Sequence, residues 1–181
     1  MDKTLVIRAS KIFLISGIGC LALLAALNNV VDYPSNFAFV QHVMSMDTVY
    51  PGNALTHRAI TEPSVHSAVY ASIIFLEFLI AALCLLGALR LLYNIKSDAP
   101  TFDRAKSLSI AGLTFGFALW FFGFMVVGGE WFCMWQSPDW NGQQPAFRFV
   151  VCIVLVLIYT AQSDNPREPG SIGYDRTDRK E

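Results

Sequence analysis

Four stretches of this 181-residue chain are too long and too poor in charge to be half-buried elements of a water-soluble domain. Ile12 to Leu27, Leu108 to Gly129 and Phe149 to Ala161 carry no charged residue, and Ala68 to Leu92 carries only Glu77 and Arg90. A helix crosses about 30 Å of hydrocarbon with about 20 apolar residues, over a working range of roughly 17–25. The second and third stretches meet that length outright. The first meets it when Ser10 and the Asn28 to Val31 end are included. The fourth meets it when Arg148 extends its stem to the interface. The expectation is an all-α fold, a four-helix transmembrane bundle with spans at about 10–30, 67–92, 107–129 and 146–162, in one domain over residues 1–163. Charged residues make up 15% of the chain, against roughly 25% in a soluble domain. A net charge of −1 lacks the basic footprint of a nucleic-acid binder, so no nucleic-acid partner is expected.

The charges that remain orient the chain. With both termini in the cytoplasm, only Arg58 and Arg148 of the 13 Lys and Arg residues fall outside, a strong positive-inside asymmetry. The first stretch also admits reading as a secretory signal, because Lys3, Arg8 and Lys11 precede it. Ala25-Ala26-Leu27-Asn28 is a poor cleavage site, however, and the apolar core is long for a signal, so it is read as a retained anchor.

The connections are unequal. Ile95 to Lys106 reads as a tight cytoplasmic turn, with Thr101 as the cap of the third span and Asp103 in its first turn. Asn28 to His66 is far longer than a hairpin needs, and long loops of this kind tend to be functional. Pro34 and Ser35 begin a short helix there, Ser35 as its N-cap, with Phe39, Val40, Val43 and Met46 on one face; it is expected to lie at the outer interface or to plug the bundle mouth. Gly128 to Pro145 carries Trp131, Trp135 and Trp140, expected as an outer aromatic cap. Residues 164–181 are polar and turn-rich and read as a disordered cytoplasmic tail.

Chemistry-bearing residues are few. Glu77 should lie roughly 15 Å into the bilayer, and a carboxylate there must face the bundle interior, be protonated or find a donor. It is the candidate intramembrane polar site, and Ala81, Cys84 and Ala88 below it form a small-residue packing stripe. Gly112, Gly116 and Gly123 form a second such stripe on the third span. Asn29, Asp32, Glu130 and Arg148 form a candidate outer polar cluster, in which an ion pair of Glu130 with Arg148 would hold the arginine at the hydrocarbon edge. His42, Met44 and Met46 are soft ligands and a weak candidate for Cu(I), but the methionines also fit the apolar side of a helix. His42, His57 and His66 all lie in or beside the outer segment, which does not suit an intramembrane haem, and no cofactor is expected. Cys20, Cys84, Cys133 and Cys152 form no redox motif.

The stretches NNVVDYPSNFAFVQHVMSMDTVYPGN, HRAIT, FDRAKS and GGEWFCMWQSPDWNGQQPAFRF carry a resemblance. From about Arg8 to Asp164 the chain resembles a bacterial family known as predicted small integral membrane proteins with a domain of unknown function. The resemblance implies a multi-pass bacterial inner-membrane protein and supplies no activity, cofactor or catalytic residue. Two functions are compatible with these residues. One is a non-catalytic accessory or structural subunit of a larger inner-membrane complex, with a membrane-protein partner or homo-oligomer beside the lipid bilayer. The other is a small oligomeric transporter or ligand-binding protein with an internal polar site around Glu77. An enzyme working on lipid or quinone ranks third, with Glu130, Asp32 and His42 as its acid or base groups.

Overall fold

The computed structural model describes residues 2–164, and those residues form helices joined by turns, with no strand among them. Helix α1 (Lys3–Val31) starts where the Asp2 carboxylate accepts a hydrogen bond from the Thr4 amide at 3.1 Å. Asp32 ends α1 and begins α2 (Tyr33–Ser45), so the two helices share one capping residue. Ser35 is therefore inside the helix it was expected to cap; Pro34 takes the first turn, where its missing N–H costs nothing. Helix α3 (Pro63–Tyr93) also opens on a proline. The segment read as a tight turn is itself helical: Asp98 begins α4 (Ala99–Ala105), which breaks only at Lys106 before α5 (Ser107–Phe117). Thr101 lies within α4, because Pro100 sets the first turn and moves the helix start back to Asp98. A π-helical segment (Ala118–Trp131) continues α5, and α6 (Gln143–Ala161) closes the chain.

Four helical stretches have the length and composition to cross a membrane: α1, α3, the run from α4 through the π-segment, and α6. Helix α3 packs along α1 on one side and α5 on the other, α6 packs on α5 and the π-segment, and α1 touches α6. Ile15, Ala22, Ile80, Cys84, Leu113 and Ile153 fill the common core, while Phe13, Phe75, Leu89 and Leu155 point outward. An outward face this apolar would be anomalous in water and is what lipid contact requires. Lipid tails are as apolar as leucine, so the helices gain little by hiding side chains from them and must gain by close packing. The packing is correspondingly tight around Cys84. A Cβ on Gly112 would meet the Cys84 sulfur at 2.7 Å, and one on Gly87 would meet the Ser109 backbone nitrogen at 2.7 Å.

Gly123 departs from the stripe expected of it. A Cβ there would meet only Leu119, at 3.8 Å, whereas one on Gly116 would press on Ile153 at 3.2 Å. The cause is the change of pitch at Ala118. A seven-residue spacing brings two α-helical positions nearly into line, but i to i+5 bonding widens the turn and rotates Gly123 off that line.

The two glycines therefore predict opposite responses to one added methyl group. Gly87→Ala drives a Cβ into backbone and should cost about 1–3 kcal/mol. Gly123→Ala should be neutral or stabilising by up to about 1 kcal/mol, because the site is open and alanine is the better helix former. Loss of monodisperse protein on heating in detergent, followed by size-exclusion chromatography, measures both.

Candidate functional site

Helix α3 carries Glu77 on the face turned to α1. The residue is 3% exposed, and its carboxylate accepts a hydrogen bond from the Asn29 side-chain amide at 2.7 Å. The Tyr70 hydroxyl donates to the Asn29 carbonyl at 2.9 Å. Asn29 is thus level with Glu77 and not with the outer rim, because α1 ends at Val31 while α3 continues past it and α2 packs on the added length. Tyr33 and Phe37 of α2 lie against the Tyr70 ring, closing the polar group from above.

The remaining members of the expected outer cluster are dispersed. Asp32 is exposed at the joint of α1 and α2, and Arg148 is exposed in the first turns of α6. Glu130 is exposed at the end of the π-segment, and among the described residues no ion pair joins it to Arg148.

The cap is held by contacts between the two long connections. Gln136 accepts hydrogen bonds at 3.0 Å from the Tyr50 amide and from the Asn53 side chain. Thr48 donates to Ser137 at 2.9 Å, and the Ile60 amide donates to the Met44 carbonyl at 2.8 Å. Of the three tryptophans, Trp140 stacks on His42 with ring centroids 4.4 Å apart, Trp135 meets Tyr50 edge-on, and Trp131 lies beneath the Arg58 guanidinium. His42 is hydrogen-bonded to Asp47 at 2.7 Å, while Met44 and Met46 are buried with Val40, Val43 and Phe132. The histidine is thus engaged at the surface and the methionines in the core. Among the described residues no group of three or more His, Cys, Asp or Glu could hold a metal ion.

Beneath the cap is a cavity of about 1090 Å³ between the first half of α3 and the π-segment, with α2 along its upper side, and it opens to the outside of the bundle past the exposed Val65, Phe122 and Val126. Its walls are Val69, Ile73, Leu76, Leu119 and Phe122, with Gly123 and Ser72 leaving room between them. Arg58 and Glu130 are the charged residues that line it; both stand at the cap end, and Leu76 and Leu119 mark the other end. From Ser64 to Leu76, α3 rises roughly 18 Å at ~1.5 Å per residue, close to half of a hydrocarbon core about 30 Å thick. Glu77 is not among the lining residues, since it faces α1.

A second polar cluster, at the opposite end of the bundle, was not legible in the sequence. Arg8 donates from Nε to Asp164 at 2.6 Å and from Nη1 to the Ile95 and Ser97 carbonyls at 2.8 and 2.7 Å. Lys11 and Lys106 both donate to the Gln162 carbonyl, at 2.9 and 2.7 Å, and Lys106 also donates to Asp103 at 2.6 Å. Arg8, Lys11 and Lys106 are all buried. By sequence these residues are ordinary flanking charges, and Asp164 is the first residue of the expected tail. The structure holds Asp164 in the cluster, and residues 165–181, where the rest of that tail falls, lie outside the described residues. The Arg8 contact also places the start of α1 and the last described residue at one end of the bundle.

A family described as predicted small integral membrane protein (DUF2165) matches residues 7–163. No curated protein and no solved structure matches the chain.

Two variants separate the polar contacts. Asn29→Leu leaves the Glu77 carboxyl without its donor and should cost about 1–3 kcal/mol, whereas Glu77→Gln keeps an acceptor for Asn29 and should cost less than about 1 kcal/mol. Asp164→Ala strands the buried Arg8 charge and should cost about 3–5 kcal/mol. Thermal stability in detergent reads all three, and equal losses for Asn29→Leu and Glu77→Gln would show that the hydrogen bond is not what matters.

Proposed function

The chain belongs to that family of predicted small integral membrane proteins, and we propose that it binds a single-leaflet amphiphile, with the apolar chain of the ligand in the cavity beneath the cap. One observation carries this reading: an apolar cavity of about 1090 Å³ with charge only at its cap end. Ligand pockets are typically some 300–1,000 Å³, mostly apolar, with few polar groups to set orientation. A lipid tail would fill this one along its length and place its polar end at Arg58 and Glu130. With the termini in the cytoplasm, as the positive-inside asymmetry has it, the amphiphile comes from the outer leaflet. The ligand-binding reading thereby moves from Glu77 to the cavity, since Glu77 is bonded to α1 and lies outside the lining.

Tyr50 and Trp135 favour a second reading, as an accessory subunit of a larger inner-membrane complex. They meet edge-on at 6.0 Å on the cap, 58% and 46% exposed, and exposed aromatic pairs are the kind of anchor that protein interfaces use.

Phospholipid carrying a photoreactive acyl chain, reconstituted with the protein in vesicles, tests the first reading. Cross-links should concentrate on Val69, Ile73, Leu119 and Phe122, and Gly123→Trp, which fills open space in the cavity, should lower them at least fivefold. Labelling spread evenly over the outward faces of α1 and α6, unchanged by Gly123→Trp, would overturn it. The subunit reading expects a stable partner to co-purify in mild detergent and to be lost with Trp135→Ala; recovery of this chain alone would count against it.

A further inference from the structure

The cavity rim carries a cation and an anion that the fold leaves unmatched. Arg58 arrives on the short turn Thr56–Arg58 and stands over the Trp131 ring, its guanidinium carbon 4.7 Å from the ring centroid. One of its N–H groups reaches the Trp131 carbonyl at 3.4 Å. A guanidinium has five N–H donors, and among the described residues the others have no partner. Glu130, the residue before Trp131, is exposed, and among the described residues its carboxylate accepts no hydrogen bond and enters no ion pair. Trp131 thus holds the two opposite charges on one rim, yet they are not joined to each other.

Resting on the reading of the cavity as an amphiphile site, we infer that the rim selects a phospholipid whose headgroup joins a phosphate to a primary ammonium. The phosphate suits Arg58, whose planar fork matches two phosphate oxygens and is already held in place by the indole. The ammonium suits Glu130, because each of its N–H groups can donate to a carboxylate oxygen. A headgroup with phosphate alone would leave Glu130 unpaired beside a second anion. A quaternary ammonium has no N–H to donate, so it cannot hydrogen-bond to Glu130. The cavity depth of about half a bilayer places such a headgroup at the water boundary with its chain in the apolar walls.

Native mass spectrometry of the full chain, exchanged into phospholipids with identical acyl chains and phosphoethanolamine, phosphocholine or phosphoglycerol headgroups, tests the assignment. Wild type should retain the phosphoethanolamine lipid at least fivefold over the other two. Glu130→Gln should bring the phosphoethanolamine lipid down to the retention of the phosphocholine one, whereas Arg58→Gln should bring all three down to the retention of diacylglycerol. Size-exclusion elution confirms that each variant is folded. If wild type retains the three headgroups equally while Gly123→Trp still empties the cavity, the headgroup assignment is overturned and the cavity reading stands. If Gly123→Trp leaves retention unchanged, both are overturned.

Discussion

Everything in this bundle depends on how closely α3 can approach its neighbours. In lipid the hydrophobic effect does not press one helix against another, so association rests on dispersion and on the few polar contacts that hydrocarbon makes valuable. Gly19 on α1 and Gly112 on α5 both press on the Cys84 region of α3, and Gly87 sits against the Ser109 backbone. These contacts set the depth at which the α3 face containing Ile80, Ala81 and Cys84 is buried. The same seating turns Glu77 towards Asn29, where its polar group meets a donor.

The cap-end cavity comes from two local departures from regular packing. Helix α1 stops at Val31, leaving the upper part of α3 to be covered by α2, a shorter and less deeply packed helix. Across from it the chain leaves α-helical geometry at Ala118 and runs on at π pitch to Trp131. The π-segment still packs on α6 through Trp120, which stacks on Phe149 at 4.8 Å, but its α3-facing side leaves space. Long π-helices are rare and π-bulges collect at functional sites, which accords with a binding role for the cavity beside this one.

The legibility of the chain divides along physical lines. The four spans could be read because their signal is a sum over some 20 residues, and isolated Ser, Glu or Arg positions do not erase it. That Glu77 would have to face the bundle interior, be protonated or find a donor could be read because a carboxylate in hydrocarbon is costly. Its partner could not, since Asn29 looks equally suited to the outer rim until the end of α1 is placed beside the middle of α3. Arg8, Lys11 and Lys106 count as flanking charges in any orientation argument, and only the convergence of three helix ends on Gln162 and Asp164 turns them into a buried cluster. The cavity had no sequence signature: Val69, Ile73, Leu119 and Phe122 look like any lipid-facing or core residues.

By itself the sequence determined that the chain is a helical membrane protein with four apolar spans, because the cost of leaving backbone groups unbonded in hydrocarbon allows few other solutions for such stretches. It also determined that the Glu77 carboxylate would have to face the bundle interior, be protonated or find a donor. The tertiary structure alone decided which polar group meets Glu77, where the charges gather and where space remains between helices. Those outcomes depend on helix ends and on pitch, which shift by a few residues at little energetic cost yet reposition every side chain beyond them.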